Sequence, residues 1–137
     1  MGGALYFAAF STGSGTELWA LRAPTASLGN YTVPAGGSVT LTGSGTNPDA
    51  GSPLTYTWDL DADGNFGETG SAAARGDEVG QSPAFSAPGI GSGAVLPIVL
   101  RVTNTGGLKA QASASVTVRP PSSKWSCRRR RWPRRSR

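Results

Sequence analysis

Four stretches of this 137-residue chain alternate apolar and polar side chains with a period of two, and that alternation most limits the folds open to it. SVTLTGSG (38–45) puts Val39 and Leu41 on one face; PLTYTWDL (53–60) puts Leu54, Tyr56, Trp58 and Leu60 on one face. AVLPIVLRVTN (94–104) aligns Leu96, Ile98, Leu100 and Val102, and QASASVTVR (111–119) aligns Ala112, Ala114, Val116 and Val118. Half-buried strands read this way, whereas the buried strands of a parallel α/β sheet read as continuous apolar runs. An antiparallel sandwich is expected.

Two weaker strands complete the set, LGNYTVP (28–34) and SPAFSAP (82–88), the latter with Phe85 as core anchor. Pro34-Ala-Gly-Gly, Asn47-Pro-Asp-Ala-Gly and Asn104-Thr-Gly-Gly supply turn chemistry between them. Pro97 has no amide to give a ladder, so its strand is expected to bulge there or to turn that position towards an unpaired side. About seven short strands, with Trp58 on a central one, match an all-β, immunoglobulin-like antiparallel β-sandwich built without a disulfide. Trp58 and Tyr56 are accordingly expected in its core. The alternative, a sugar-stacking platform, asks for outward aromatics, and the clear strands offer Thr and Ser there.

Charge divides the chain. Up to Arg119 there are 5 basic and 8 acidic residues, a net of −3; the remaining 18 residues hold 8 basic residues and no acid. The chain is therefore expected to comprise an N-terminal segment (1–27), a sandwich (28–119) and a disordered basic tail (120–137). The single cysteine, Cys127, lies in that tail, so no internal disulfide forms. The start, MGGALYFAAF, has neither the basic region of a signal peptide nor an apolar run long enough to span a membrane. The chain contains no histidine, and its acids cluster on one turn with no sign of a cleft, so an enzyme is not expected and no catalytic residue is assigned.

Tyr31-Thr-Val-Pro-Ala-Gly-Gly-Ser-Val-Thr-Leu-Thr-Gly-Ser-Gly, Leu54-Thr-Tyr-Thr-Trp-Asp-Leu-Asp-Ala-Asp-Gly, Phe85-Ser-Ala-Pro-Gly, Val99-Leu-Arg-Val-Thr-Asn-Thr-Gly-Gly and Ala114-Ser-Val-Thr-Val follow one another in the order of a PKD (polycystic kidney disease) domain. Residues 28–119 resemble that family. Its Trp-Asp-Phe-Gly-Asp-Gly hallmark is met as Trp58-Asp59-Leu60-Asp61-Ala62-Asp63-Gly64, with Leu60 substituted and one residue added, a form similar to PKD modules of large bacterial surface proteins. The resemblance implies an extracellular or cell-surface module without catalytic activity, a spacer or a unit of adhesion to proteins, polysaccharides or neighbouring extracellular domains. Leu5-Tyr-Phe-Ala-Ala and Gly15-Thr-Glu-Leu-Trp are similar to a short repeat of secreted bacterial proteins, here without its Asp-Gly-Thr ending. A single copy cannot bury its own apolar face, so Tyr6, Phe7, Phe10 and Trp19 are expected to be partly exposed or to pack on the sandwich.

The acids after Trp58 are the candidate site. An EF-hand-type loop takes oxygens at positions 1, 3 and 5, glycine at 6, a backbone carbonyl at 7 and a bidentate acid at 12. Counting from Asp59, residues Asp59, Asp61, Asp63, Gly64 and Asn65 fit, but position 12 is Gly70 and the nearby acid is Glu68. Asp59, Asp61, Asp63, Asn65 and Glu68 are thus candidate ligands of Ca2+, the one cofactor the sequence suggests, and none is required for the fold. Extended backbone would hold alternate carboxylates about 6.6 Å apart, so the chain must curl after Leu60 if they are to share an ion. The competing reading is an acidic turn whose Asp and Asn side chains hold backbone amides.

The tail, SSKWSCRRRRWPRRSR, interleaves arginines with Trp125 and Trp132, which suits a nucleic acid or an anionic surface through phosphate contacts and stacking. Its abrupt onset after Pro120-Pro121 also suits an out-of-frame reading of GC-rich coding sequence. If the chain works as a basic-tailed binding protein, deleting residues 122–137 abolishes its retention of nucleic acid in a filter-binding assay; retention surviving the deletion contradicts that role for the tail.

Overall fold

The structure is a computed structural model that describes residues 4–13, 15–48 and 51–121, apart from the side chains of Ser11 and Trp19. The Arg-rich segment with Cys127, the Trp19 side chain and part of the Asn47–Gly51 turn lie outside the described residues. Ten strands run along the described chain: β1 (Ala4–Ser11), β2 (Gly15–Arg22), β3 (Thr25–Ser27), β4 (Tyr31–Pro34), β5 (Ser38–Thr40), β6 (Ser44–Thr46), β7 (Leu54–Asp59), β8 (Ala84–Ser86), β9 (Val95–Asn104) and β10 (Lys109–Arg119).

One layer of the sandwich is the sheet β4-β10-β9-β7; the facing layer consists of the pairs β5-β8 and β3-β6. The alternation read from sequence is the alternation that packs them. Ile98, Leu100 and Val102 of β9, Val116 and Val118 of β10, and Trp58 of β7 meet Leu41, Phe85 and Val33 in one buried core. Polar or half-exposed side chains stand on the outer face of β9 and β10. The chain is thus all-β, an immunoglobulin-like sandwich.

Three features refine the expected layout. First, the strand at 38–45 is divided into β5 and β6, yet pairing runs on between them, because the amides of Leu41 and Gly43 donate to the carbonyls of Pro83 and Gln81 at 2.9 and 3.1 Å. Second, β3 pairs with β6, so the ladders of the sandwich begin at Thr25, upstream of the boundary expected at residue 28. Third, β4 pairs with β10 in parallel, the exception in an otherwise antiparallel set. Between β3 and β4 the chain crosses from one layer to the other at Leu28–Asn30 and arrives running alongside β10. Tyr31 secures the crossing: its hydroxyl donates to the Thr42 carbonyl at 2.8 Å and accepts from the Thr42 amide at 2.9 Å.

Pro97 takes the second of its two expected positions. Asn104 exchanges its backbone bonds with the β9–β10 turn, so the even-numbered residues of β9 face β10 and the odd-numbered ones face β7. Pairing with β7 ends at Asp59 opposite Val99, which leaves Pro97 on an edge where no ladder bond is missed.

Gly43 is buried directly over Trp58. A Cβ at that position would lie 2.6 Å from Leu100 Cδ2 and 2.9 Å from Trp58 Cζ2, so the missing side chain is the space that admits the indole. Gly43→Ala is expected to lose about 1–3 kcal/mol through overpacking. Gly91→Ala, where an added Cβ meets nothing within 4 Å, is the control that leaves the urea midpoint in place. Equal midpoints for both variants would contradict this packing.

Candidate metal centre

β7 brings the site into being at its C-terminal end. On this strand the odd-numbered residues bond to β9, which leaves the backbone of Tyr56 and Trp58 facing outward from the sheet. The segment Glu78–Gly80 fills that edge: the Trp58 amide donates to the Glu78 carbonyl at 2.8 Å, the Gly80 amide to the Tyr56 carbonyl at 3.1 Å, and Thr57 bridges to Val79. The Trp58 indole N–H reaches the Gly80 carbonyl at 2.8 Å, so its one polar group is satisfied. Trp58 is fully buried, as expected of a core residue.

After Asp59 the chain curls. Asp59, only 5% exposed, accepts from the Ala62 amide on Oδ1 at 2.7 Å and from the Gly64 amide on Oδ2 at 3.1 Å. Asp61 Oδ1 accepts from the Asp63 amide at 3.3 Å, and Asp63 Oδ1 from the Asn65 amide at 2.7 Å. Such side-chain to backbone bonds are how Asp holds a turn. The turn passes through the left-handed region at Ala62 (φ 64°), a conformation that disfavours any residue with a Cβ, and again at Gly64 and Gly67, which tolerate it. Phe66 lies beneath the Arg101 guanidinium, 3.5 Å from its ring centroid, and this cation–π contact fastens the far side of the loop to β9.

The curl brings the carboxylates together in two overlapping groups, Asp59–Asp61–Glu78 and Asp61–Asp63–Glu68, with ligand oxygens within 4.8 Å of one another in each. Four of the five residues proposed from sequence, Asp59, Asp61, Asp63 and Glu68, are therefore clustered. Asn65 instead turns its side-chain amide onto Asp63 Oδ2 at 2.8 Å. The residue that sequence reasoning passed over is Glu78. It is 1% exposed, with Oε1 accepting from the Leu60 amide at 2.7 Å and Oε2 from the Glu68 amide at 3.3 Å, while its own amide donates to the Glu68 carbonyl at 2.8 Å. Glu78 is placed by pairing against β7, and no spacing rule within the loop points to it.

Burial pushes the Glu68 carboxyl above its ordinary value, and the charges of Asp63, Asp61 and Asp59 push it the same way. Its Oε2 is buried without a hydrogen-bond partner. The Glu78 carboxyl is likewise raised by burial, which outweighs the lowering effect of the Leu60 and Glu68 amides; Asp61 and Asp59 add to the rise.

No family model matches the chain, and no curated protein matches it. Among solved structures it is similar to a nucleoside hydrolase-related hypothetical protein from Saccharophagus degradans associated with carbohydrate metabolism, at 22% identity and a TM-score of 0.53; the match covers 71% of this chain and 26% of that one. It is also similar to the PKD1 domain of Vibrio anguillarum Epp (18% identity, TM-score 0.49, 72% of this chain and 96% of that one). A third is the PKD1 domain of the Vibrio cholerae metalloprotease PrtV (18% identity, TM-score 0.48, 71% and 98%). PKD domains are thus among the solved structures that this chain resembles, at identities where likeness concerns the fold alone.

The raised carboxyls give a pH dependence of definite sign. A group whose folded pKa exceeds its unfolded value holds its proton longer in the folded state, so stability is greatest below the unfolded value and declines as pH rises through the folded one. In EDTA, urea midpoints should therefore climb as pH falls from neutral towards 4.5, the ordinary value for these acids. Glu68→Gln should flatten the climb; an unchanged slope would show that Glu68 does not titrate in this setting.

Proposed function

We propose that the chain is a non-catalytic, extracellular-type module, a spacer or adhesion unit whose Asp59–Glu68 loop is clamped by Ca2+. The observation that carries the calcium reading is the mutual closeness of the carboxylate oxygens in the two groups. Oxygens that ligate one Ca2+ at about 2.4 Å lie at most about 4.8 Å apart across the ion, and each group meets that limit. The donor set suits the ion as well: hard carboxylate oxygens, with His ligands absent from the whole sequence. The amides that already bond to Asp59 and Glu78 occupy one lone pair of an oxygen and leave another for a ligand.

Bound Ca2+ would neutralise charges that otherwise repel one another. The chain's own residues do the rest. Asp59 and Glu78 fix the base of the loop through four backbone amides, Asp61 stands where the two groups overlap, and Asp63 and Glu68 close the outer side. An extracellular setting fits this reading, since modules there bind Ca2+ at roughly 10⁻⁴–10⁻³ M. Among the described residues no helix is long and apolar enough to cross a membrane.

Calcium at about ten to a hundred times such a Kd should stabilise the chain by about 1.4–2.7 kcal/mol, several degrees in melting temperature. Asp61→Asn, which removes charge from both groups, should abolish the shift, and Mg2+ should give less of it because it demands stricter octahedral geometry. A melting temperature indifferent to millimolar Ca2+ would leave the acidic turn as the correct reading.

A further inference from the structure

The N-terminal hairpin carries an apolar face and an open strand edge that the sandwich does not cover. β1 and β2 pair over their full lengths, from Ala4 opposite Arg22 to Ser11 opposite Gly15. Alternation places Tyr6, Ala8 and Phe10 of β1 beside Ala20, Leu18 and Thr16 of β2 on one face. The hairpin meets the sandwich at its Leu21–Arg22 end, where a Cβ on Gly106 would lie 2.4 Å from Leu21 Cδ2 and where the Asn104 side chain donates to the Arg22 carbonyl at 3.0 Å. On the free face Tyr6 is 64%, Phe10 77% and Leu18 73% exposed.

The edge of β1 is equally open. Among the described residues the sheet ends at β1, whose eight residues, ALYFAAFS, include no charge, proline or glycine. Natural edge strands are protected by such residues, by a bulge or by a covering element, and an uncharged edge of this length is a template for pairing. β2 has charged residues, Glu17 and Arg22, and β1 has none.

We propose that β1 is a self-association edge: it pairs antiparallel with β1 of a second copy of this chain, making a continuous sheet β2-β1-β1-β2 across a two-fold axis. Two properties favour a second copy as the occupant. An antiparallel edge is complementary to itself under a two-fold axis. The lack of charge along β1 means that self-pairing opposes no like charges. With Ala8 on the axis, each Tyr6 stands opposite Phe10 of the other copy, an aromatic cross-strand pair on either side of a small central residue.

Sedimentation equilibrium of the full chain at high salt, where the charges of the basic tail are screened, tests the pairing. The wild type should move from monomer to dimer as its concentration rises through the micromolar range. Ala8→Lys, at an exposed position, should keep the melting temperature and remain monomeric, because it sets two ammonium groups opposite each other at the axis. In a Cys127→Ser background, Ala8→Cys should be captured as a disulfide dimer, since directly opposed Cα atoms stand about 4.5–5.5 Å apart. Thr16→Cys, one strand removed from the axis, should not be captured. A wild type that stays monomeric, a dimer that survives Ala8→Lys, or equal capture of both cysteines would overturn the proposal.

Discussion

The burial of Trp58 between the two layers is the interaction on which the rest of this structure depends. Its ring occupies the space left by the absent side chain of Gly43 and packs among Leu100, Leu41 and Phe85, so it joins strands from both layers. Its indole N–H and its backbone amide both bond to the segment Glu78–Gly80, at Gly80 and Glu78 respectively. One residue thus fixes the core and recruits the segment that closes the outer edge of β7. Large buried aromatics dominate cores by area, and here the same area also sets the position of a polar site.

The acidic loop inherits its shape from that arrangement. Glu78 arrives beside Leu60 because its carbonyl is tied to Trp58, and from there its carboxylate holds the amides of Leu60 and Glu68. The cost is electrostatic. A buried Glu78, a Glu68 oxygen without a partner and three aspartates are drawn into a small volume, while Ala62 is held at positive φ. Bound Ca2+, as proposed above, would offset this gathered like charge.

Much of this was legible in the sequence. The inward sets on 54–60, 94–104 and 111–119 pack as their alternation requires, because a half-buried strand cannot exchange its faces without exposing a whole apolar row. The curl after Leu60 was readable only as a condition, since three alternating aspartates fit a strand edge and a turn equally well. Glu78 was not readable as part of the site: its place follows from pairing across some twenty residues, and nothing in Asp77-Glu78-Val79-Gly80 marks that register. The parallel entry of β4 and the pairing of β3 escaped for the same reason, because three or four residues show too little periodicity to reveal a change of layer. The β1–β2 hairpin was visible as a cluster of aromatics, but its exposure depends on what surrounds it.

The acidic loop is fastened to the core through Trp58 and Glu78 and does not hang from it as a free hairpin. Native-state hydrogen exchange of the full chain tests this most directly at the buried Leu60 amide, which donates to Glu78 Oε1. Leu60 should exchange only through global unfolding, with the same opening free energy as the amides of Trp58 and Leu100. Exchange of Leu60 at the rate of an exposed loop, while Trp58 stays protected, would contradict it.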